Sequence, residues 1–402
     1  MPTLFTGPAI RKPLRPPSRS ATVAAKPGDG SAMEEGHMPE TPLSLDQMRR
    51  VVQRRGGDIP RVPLFWHKFY NAGTVEKYGE ALTVLNDSIV DDCISLWFRG
   101  PGNFQAPEGA PPEYKWAIEP DPGDLDTRGI TSRPVVSSTD LIDDFIQAIP
   151  DPSDPAHFDG ARQAVRDNPG RYCVAWDFFC LFERTWFLFG MEETLCEMMW
   201  RPDRIGRLFR AFCDYHKKVV TGCADAGAHA YFTSDDLGTQ TGLIFSRDLF
   251  RNLYLPFYEE LVDHCHSAGM HFWLHSCGAI TDVVEDLVSI GVDVLHPIQP
   301  VAMDQEAIAR KYRGRISFLA GIDVQRLLPN GSVKDVEEGA RGLIDAFDSE
   351  EGGCILAASN GIMPETPLEN IEAWLRTAQC YGRIHRASFA HGRPCGRPSR
   401  RI

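Results

Sequence analysis

Short apolar runs recur along this chain, and most are separated by stretches that have the spacing of an amphipathic helix. We place eight such runs as strands, at residues 62–66, 89–97, 172–176, 229–233, 270–275, 292–296, 315–320 and 353–358. Buried parallel strands read as nearly continuous apolar runs, and strands that alternate with helices are typical of a parallel α/β fold. Eight such units predict a closed (β/α)8 barrel, or TIM barrel, and the alternative is an open, doubly wound sheet.

We divide the 402 residues into three parts, with one folded domain between two tails. Residues 1–44 are rich in proline, serine and glycine and have no hydrophobic period, which predicts a flexible tail. Residues 45–382 form the barrel, and Ser44 is the expected N-cap of its first helix. Residues 383–402 form a basic C-terminal tail that we expect to be flexible as well.

The N-terminal tail has two further interpretations. Residues 1–28 are basic and contain no acid, which suits a transit peptide, but their prolines argue against an amphipathic targeting helix. We favour a true translation start at Met33 or Met38 over a targeting role.

One stretch, residues 99–171, is too long for a single crossover between strands and predicts an insertion after the second strand. It is rich in proline, aspartate and glycine. Residues 114–118 and 127–130 resemble a hairpin, and residues 139–148 resemble a helix. Long loops of compact domains are often functional, so we expect this one to act as a lid or a pocket wall.

Charge and composition exclude several classes of protein. Residues 29–382 contain 31 basic and 55 acidic residues, and a body of that charge repels nucleic acid and anionic membranes. No apolar run approaches the roughly 18 residues of a membrane span, and the N-terminus lacks the apolar core of a signal peptide. The cysteines number 11, an odd count, and most lie in apolar stretches, which favours reduced thiols and a cytoplasmic location.

The carboxyl ends of the strands of a parallel barrel form its active site, so polar residues that directly follow a strand are the candidates. Six of the eight predicted strands end in this way, with His67, Asp235 and Asp236, His275 and Cys277, Gln299, Asp323, and Asn360. Any single one could be an ordinary loop residue, and the set is more informative than its members.

The sharpest element is the segment His275-Ser276-Cys277-Gly278. Residues two apart on an extended segment point to the same side, so the imidazole of His275 and the thiolate of Cys277 can reach one zinc ion. The alternative is a hydrogen-bonded histidine beside a packed cysteine. Asp235 and Asp236 are adjacent and point in opposite directions, so we expect at most one of them to face the pocket, as an acid or metal ligand, while the other braces a loop. The alternative is an Asx-turn that leads into the next helix.

Other candidates carry less weight. His264, Cys265, His266 and His271 span a helix end and a strand start, at the wrong end of the barrel for a site. Cys354 lies six residues before Asn360, about 20 Å down the strand, and we assign it to the core. Glu183 lies within the very aromatic stretch that follows the third strand and is a further candidate ligand.

The sequence resembles the uroporphyrinogen decarboxylase superfamily over most of residues 45–382. The resemblance is carried by SDDLGTQTGLIFSRDLFRNLYLPFYEELVDHCHSAG, HFWLHSCGAITDVVEDLVSIGVDVLHPIQP, LAGIDVQ and GGCILAASNGIMPETPLENIEAW, in the family's order and spacing. It implies a (β/α)8 barrel, in agreement with the strand count.

The family includes true decarboxylases, which use an arginine-rich motif after the first strand. This chain has Val62-Pro63-Leu64-Phe65-Trp66-His67-Lys68-Phe69-Tyr70 there, without an arginine pair to hold the substrate's carboxylates. The other branch is similar to cobamide-dependent methyltransferases, whose zinc ligands are His-x-Cys and a later cysteine. His275 and Cys277 match the first two ligands, and Asn360 occupies the place of the later cysteine.

The resemblance therefore implies a corrinoid-linked methyltransferase or demethylase with zinc as a cofactor. His275 and Cys277 bind the zinc or contact the methyl donor or acceptor, a small molecule, and a partner protein could supply the corrinoid. Asp235 or Asp236, with Gln240, orients the ligand, and His67, Gln299, Asp323 and Asn360 line the pocket. The alternatives are a tetrapyrrole decarboxylase of porphyrin biosynthesis and a non-catalytic corrinoid- or tetrapyrrole-binding protein.

Overall fold

The computed structural model describes residues 40–65, 70–98, 136 and 138–390. Seven strands within these ranges pair in parallel, each with the next one along the chain, in a single sheet. They are β1 Cys93–Leu96, β2 Tyr172–Trp176, β3 Ala230–Ser234, β4 His271–His275, β5 Val294–His296, β6 Ser317–Ile322 and β7 Cys354–Ala358. The fold is α/β and of the TIM-barrel type, as the sequence predicts.

The predicted first strand, residues 62–66, is reduced to a short bridge between β7 and the start of β1. Leu64 forms a parallel bridge with Leu356, where the Phe65 N–H donates to the Leu356 oxygen and the Leu356 N–H donates to the Pro63 oxygen, both at 2.9 Å. On the other side, the Asp92 N–H donates to the Leu64 oxygen at 2.8 Å. Proline has no N–H to donate, which limits how far a strand can extend here. This bridge takes the eighth position of the barrel.

A buried ion pair holds that bridge in place. Both carboxylate oxygens of Asp92 accept hydrogen bonds from the guanidinium of Arg61, at 2.6 and 2.8 Å. The same carboxylate accepts from the N–H groups of Leu43 and Leu64 at 2.8 Å. A buried carboxylate needs such partners to offset its lost hydration. The pair therefore ties the segment before the first helix to the closing edge of the sheet.

Helices connect the strands and cover the barrel. They are α1 Leu45–Gln53, α2 Ala72–Ser88, α3 Ile142–Gln147, α4 Asp159–Asp167, α5 Phe182–Phe189, α6 Met191–Trp200, α7 Pro202–Asp225, α8 Arg247–Leu249, α9 Leu255–Ser267, α10 Val284–Ser289, α11 Gln305–Tyr312, α12 Leu327–Asn330, α13 Val333–Phe347 and α14 Leu368–Ala390. A π-helical turn, Phe250–Tyr254, joins α8 to α9. Short 3-10 turns occur at Thr139–Leu141, Pro155–Phe158 and Thr281–Val283. None of the described helices is long and apolar enough to cross a membrane.

Local sequence accounts for where α1 begins. Ser44 caps it, and a capping box pairs the side chains of Ser44 and Gln47 with each other's backbone N–H groups.

The second predicted strand is shorter than expected, because β1 covers Cys93–Leu96 and not the whole of residues 89–97. Some predicted features lie outside the described residues: the hairpin of 114–118 and 127–130, residues 1–39 of the N-terminal tail, residues 391–402 of the C-terminal tail, and His67. The sequence predicts that the C-terminal tail begins at residue 383, but α14 continues to Ala390.

The barrel interior is packed with aromatic side chains below the carboxyl ends of the strands. Every residue of β2, β3, β4, β6 and β7 is buried. The ring of Phe65 lies 5.5 Å from Trp176 and 6.0 Å from Trp273, and Trp273 lies 5.8 Å from Phe232. These rings fill the barrel interior with apolar side chains, so the polar residues of a site must lie at the strand ends above them. The ten described cysteines are free thiols.

Candidate functional site

The ends of β3, β4 and β5 bring the candidate residues to one edge of the sheet. Ser234 pairs with His275, and His275 pairs with His296, so these three residues lie side by side. Asp235 and Asp236 directly follow β3, and Cys277 follows β4 by two residues. Parallel strands end at the same edge, which explains why residues so distant in sequence meet here.

Asp236, His275 and Cys277 converge on one point. The Nε2 atom of His275 lies 3.3 Å from the Cys277 sulfur and 3.4 Å from Oδ1 of Asp236. One ligand atom from each residue lies within 4.8 Å of the others, and this is the single such metal-capable group among the described residues. The Cys277 N–H donates to Oδ1 of Asp236 at 2.7 Å and holds the loop after β3 against the loop after β4.

The two neighbouring aspartates have separate positions. Asp235 is fully buried and accepts hydrogen bonds from the N–H groups of Leu181, Phe182 and Glu183, at 3.0, 3.0 and 2.6 Å, and from the Tyr258 hydroxyl. It therefore holds the first turn of α5 in place. Asp236 is the aspartate that faces His275 and Cys277.

Acidic groups lie close together at the site and shift one another's pKa values. Burial raises the pKa of Glu183 well above its ordinary value, and the nearby charges of Asp236 and Asp235 raise it further. The pKa of Cys277 is raised in the same way by burial and then by Asp236. Burial opposes ionisation of Asp236 too, but its contacts with His275 and with Cys277 outweigh burial and lower its pKa. A cation at this point would relieve the repulsion among these groups.

The other predicted residues surround this group to different degrees. Asn360 is exposed, and its Nδ2 donates to the Cys277 sulfur at 3.4 Å. Gln299 is buried and accepts from the Gly278 N–H at 2.7 Å, which places it behind the Cys277 loop. Asp323 caps its own loop by accepting from the N–H groups of Gln325 and Arg326. Gln240 is exposed, and its side chain makes no hydrogen bond within the described part of the chain.

Comparisons with known proteins identify the segment that contains these residues. Residues 187–381 match the family model described as Uroporphyrinogen decarboxylase (URO-D). Residues 187–381 are a uroporphyrinogen decarboxylase family domain. Of the predicted site residues, His67 and the further candidate Glu183 lie outside this segment, and the others fall inside it. No curated protein matches the chain in sequence.

Solved structures show what the fold of this chain is similar to. A methyltransferase from Methanosarcina mazei superposes with a TM-score of 0.55 at 16% identity, over 83% of this chain and 98% of its own. A B12-independent methionine synthase from Shewanella sp. W3-18-1 superposes with a TM-score of 0.41 at 12% identity, over 65% and 70% of the two chains. The first of these two similarities establishes a shared fold.

Sequence reasoning alone did not find His296 as a site residue of this family domain. It ends β5, is fully buried, and lies against His275 with 2.6 Å between their Nδ1 atoms. The signal in the sequence was its position, because His296 ends an apolar run as His275 does. Glu183 was a candidate of low weight. It is buried beside the site and accepts from the Ser234 hydroxyl at 2.5 Å.

The histidines and cysteine at the other end of the barrel take structural positions. His266 pairs with Asp293 at 2.8 Å. His271 lies 2.7 Å from the Tyr172 hydroxyl and 3.1 Å from the Gln53 amide nitrogen. Cys265 is part of the core, and so is Cys354 at the start of β7.

Aromatic side chains border the site on the side of β2. The ring of Phe178 lies 5.9 Å from His275 and 5.1 Å from Trp176, which stacks on Trp97 at 5.6 Å. Phe179 has a φ of 68°, a left-handed backbone conformation that is strained for a bulky residue. This apolar border reduces the access of water to the polar group and strengthens its electrostatic interactions.

Proposed function

We propose that this protein is a methyltransferase that holds a zinc ion through Asp236, His275 and Cys277 and exchanges a methyl group with a corrinoid. The observation that carries the proposal is the convergence of a carboxylate, an imidazole and a thiol on one point at the strand ends. The methyltransferase from Methanosarcina mazei that shares the fold supports the same reaction class. We infer the involvement of a corrinoid, whether free or on a partner protein, from the resemblance of the motifs.

The distances from the His275 imidazole to the other two donor atoms suit zinc. Bonds of about 2.0–2.3 Å place the ligands of a tetrahedral zinc site about 3.3–3.8 Å apart. The distances from Nε2 of His275 to the Cys277 sulfur and to the Asp236 oxygen, 3.3 and 3.4 Å, agree with this range. Three protein ligands leave one position of a tetrahedron open, as in catalytic zinc sites.

Asp236 compensates for the asparagine at position 360. In the related methyltransferases a second cysteine supplies a thiolate there, whereas the Asn360 amide is neutral and a poor zinc ligand. Asp236 contributes the missing negative charge, so the donor set keeps one neutral and two anionic ligands. The carboxylate is a harder ligand than a thiolate, and we infer that zinc here is a stronger Lewis acid.

The residues of this chain have distinct roles in the proposed reaction. Bound zinc would act as a Lewis acid on the atom that gives or receives the methyl group. Asn360 donates to the Cys277 sulfur, and from this position it would contact a substrate bound at the metal. Gln299 fixes the loop through the Gly278 N–H. Phe178 and Phe179 limit the entry of water that would compete with the acceptor.

The decarboxylase alternative has less support. The sequence lacks the arginine pair after the first strand, and nearby Arg184 is occupied, because its guanidinium donates to the backbone oxygens of Phe178 and Phe179. A substrate with many carboxylates would need free cations.

Free thiols, ten among the described cysteines, suit a reducing compartment, and we infer that the protein acts in the cytoplasm.

Metal analysis of the purified protein tests the proposal. We expect about one zinc per chain after reconstitution and its loss in Cys277→Ser and Asp236→Asn. Incubation with methylcobalamin and a simple alkyl thiol should form the methyl thioether and cob(I)alamin. The visible absorption of cob(I)alamin differs from that of methylcobalamin, so the reaction can be followed in the spectrum. Absence of zinc from the reconstituted wild type would overturn the metal site. Zinc without methyl transfer to or from any corrinoid would favour the binding protein.

A further inference from the structure

His296 connects the metal-binding group to the backbone of β7. Its Nδ1 lies 2.6 Å from Nδ1 of His275, and its Nε2 lies 3.0 Å from the backbone oxygen of Ala358. His296 is on β5 and Ala358 is on β7, with β6 between them in the sheet. The imidazole of His296 therefore lies between His275 and the backbone of β7, and Ala358 is two residues before Asn360 in the sequence.

The hydrogen bonds leave one arrangement of protons for a neutral pair. A carbonyl oxygen can only accept, so Nε2 of His296 carries a proton and donates to Ala358. In the neutral ring Nδ1 of His296 is then an acceptor, and the facing Nδ1 of His275 must be the donor. The remaining nitrogen of His275, Nε2, is left with its lone pair, and this is the atom that lies near Cys277 and Asp236.

We propose that His296 is a positioning residue that holds His275 as its Nδ1-protonated tautomer and directs the Nε2 lone pair at the metal. This inference rests on the metal site of the proposed function. Ligands of this type commonly donate their second N–H to a fixed acceptor, and loss of that acceptor weakens metal binding about 10–100-fold. Here a buried, neutral imidazole takes the place usually held by a carboxylate or a carbonyl.

The surroundings of the pair make His296 hard to replace. The His275 ring has Phe178 on one side, and His296 has the edge of Phe232 at 5.9 Å, so the neighbouring rings are apolar. Without an acceptor at position 296, the Nδ1 proton of His275 would be buried without a partner. The Nε2-protonated tautomer would then compete, and it cannot bind a metal through Nε2.

NMR of the metal-free wild type tests the proton arrangement directly. In protein labelled with ¹⁵N-histidine, two-bond nitrogen–proton couplings distinguish the two tautomers, and His275→Asn and His296→Asn identify the signals. We expect His275 to be protonated at Nδ1 and His296 at Nε2. Protonation of His275 at Nε2 would overturn the inference, whatever the protein's activity.

Cobalt(II) binding, followed by its visible spectrum and by zinc competition, tests the consequence. We expect His296→Leu to bind cobalt about 10–100-fold more weakly than the wild type. His296→Asn keeps an acceptor oxygen near the Nδ1 position and should recover most of that loss. His271→Leu, at the opposite end of β4, controls for removal of a buried histidine and should bind like the wild type.

The outcomes separate this inference from the proposed function. Equal cobalt affinity of His296→Leu and the wild type would overturn the role of His296 and leave the zinc site standing. Failure of the wild type to bind cobalt or zinc would overturn the zinc site, and the tautomers seen by NMR would still decide the proton arrangement. If His296→Leu does not fold, the NMR result and His296→Asn carry the test.

Discussion

Gly278 and Gly238 cross so closely that a side chain on either would overlap the other's backbone. A Cβ atom on Gly278 would collide with the carbonyl of Gly238, and one on Gly238 would lie 2.6 Å from the Ala279 nitrogen. The Ala279 N–H also donates to the Thr239 oxygen at 2.7 Å, so the loops after β3 and β4 are joined at this point. The crossing sets the distance between Asp236 on one loop and Cys277 on the other.

Gly278→Ala should therefore disturb both folding and metal binding. Gly278 has a φ of +84°, and the added Cβ meets backbone that cannot move aside. Gly314→Ala is the matched control, since Gly314 has a φ of +83° with open space around it. We expect the control to lose about 1 kcal/mol of unfolding free energy in urea titrations, from backbone strain alone. Gly278→Ala should lose more and bind zinc less tightly, and equal effects would contradict the role of the crossing.

Asn360→Cys should strengthen the proposed zinc site. The substitution places a second thiol near the Cys277 sulfur, where the Asn360 amide now lies at 3.4 Å. Thiolates suit zinc, and we expect a dissociation constant about tenfold lower, or about 1.4 kcal/mol. In the cobalt form, under reducing conditions, the sulfur-to-metal absorption should increase. Asn330→Cys adds a thiol on the exposed end of α12 and should leave both measurements unchanged. An unchanged zinc affinity in Asn360→Cys would show that a side chain at position 360 does not bind the metal.

Asp235→Asn should destabilise the fold and leave the metal site occupied. The carboxylate accepts four hydrogen bonds, three from backbone N–H groups and one from the Tyr258 hydroxyl. An asparagine offers one acceptor oxygen and turns an NH2 group toward buried donors. We expect this to lower the free energy of unfolding by about 3 kcal/mol. Burial raises the pKa of Asp235 to about 6, so unfolding should be measured at pH 8, where it is ionised. Loss of zinc at unchanged stability would show that Asp235, and not Asp236, is the ligand.

The pair of His266 and Asp293 predicts a pH-dependent part of the stability. The hydrogen bond to Asp293, at 2.8 Å, raises the pKa of His266 above its ordinary value, with burial opposing. A raised folded pKa stabilises the protein below about pH 6.5, the unfolded value, and the effect is lost as the pH rises through the folded pKa. His266→Gln should thus reduce the unfolding free energy at pH 5.5 more than at pH 9.

The neighbouring helical position offers a control for that measurement. His264 lies in the same helix, and its ring contacts the Lys217 oxygen and the Thr221 hydroxyl. His264→Gln should not reproduce the pH profile of His266→Gln, since those contacts do not include a carboxylate. If the effect of His266→Gln is the same at both pH values, the ion pair contributes no pH-dependent stability.

Periodicity and position in the chain were enough to predict most of the barrel. Fully buried strands such as β2 and β7 are continuous apolar runs, and the two residues of the α1 capping box are three positions apart in the chain. The first strand is different. Its closing bridge depends on Asp92 and Arg61, a pair 31 residues apart whose contact no local pattern displays.

The sequence by itself determined which residues stand at the strand ends, because that is a matter of counting along each apolar run. Only the tertiary structure decided which of them meet. It directed Asp236 toward His275 and Cys277 and turned Asp235 toward α5, although the two are adjacent in the chain. It also paired His296 with His275 through the register of β4 and β5. The physical reason is that a metal-binding group depends on distances of a few ångströms between side chains of different strands, and the twist, register and loop packing of the closed barrel set those distances.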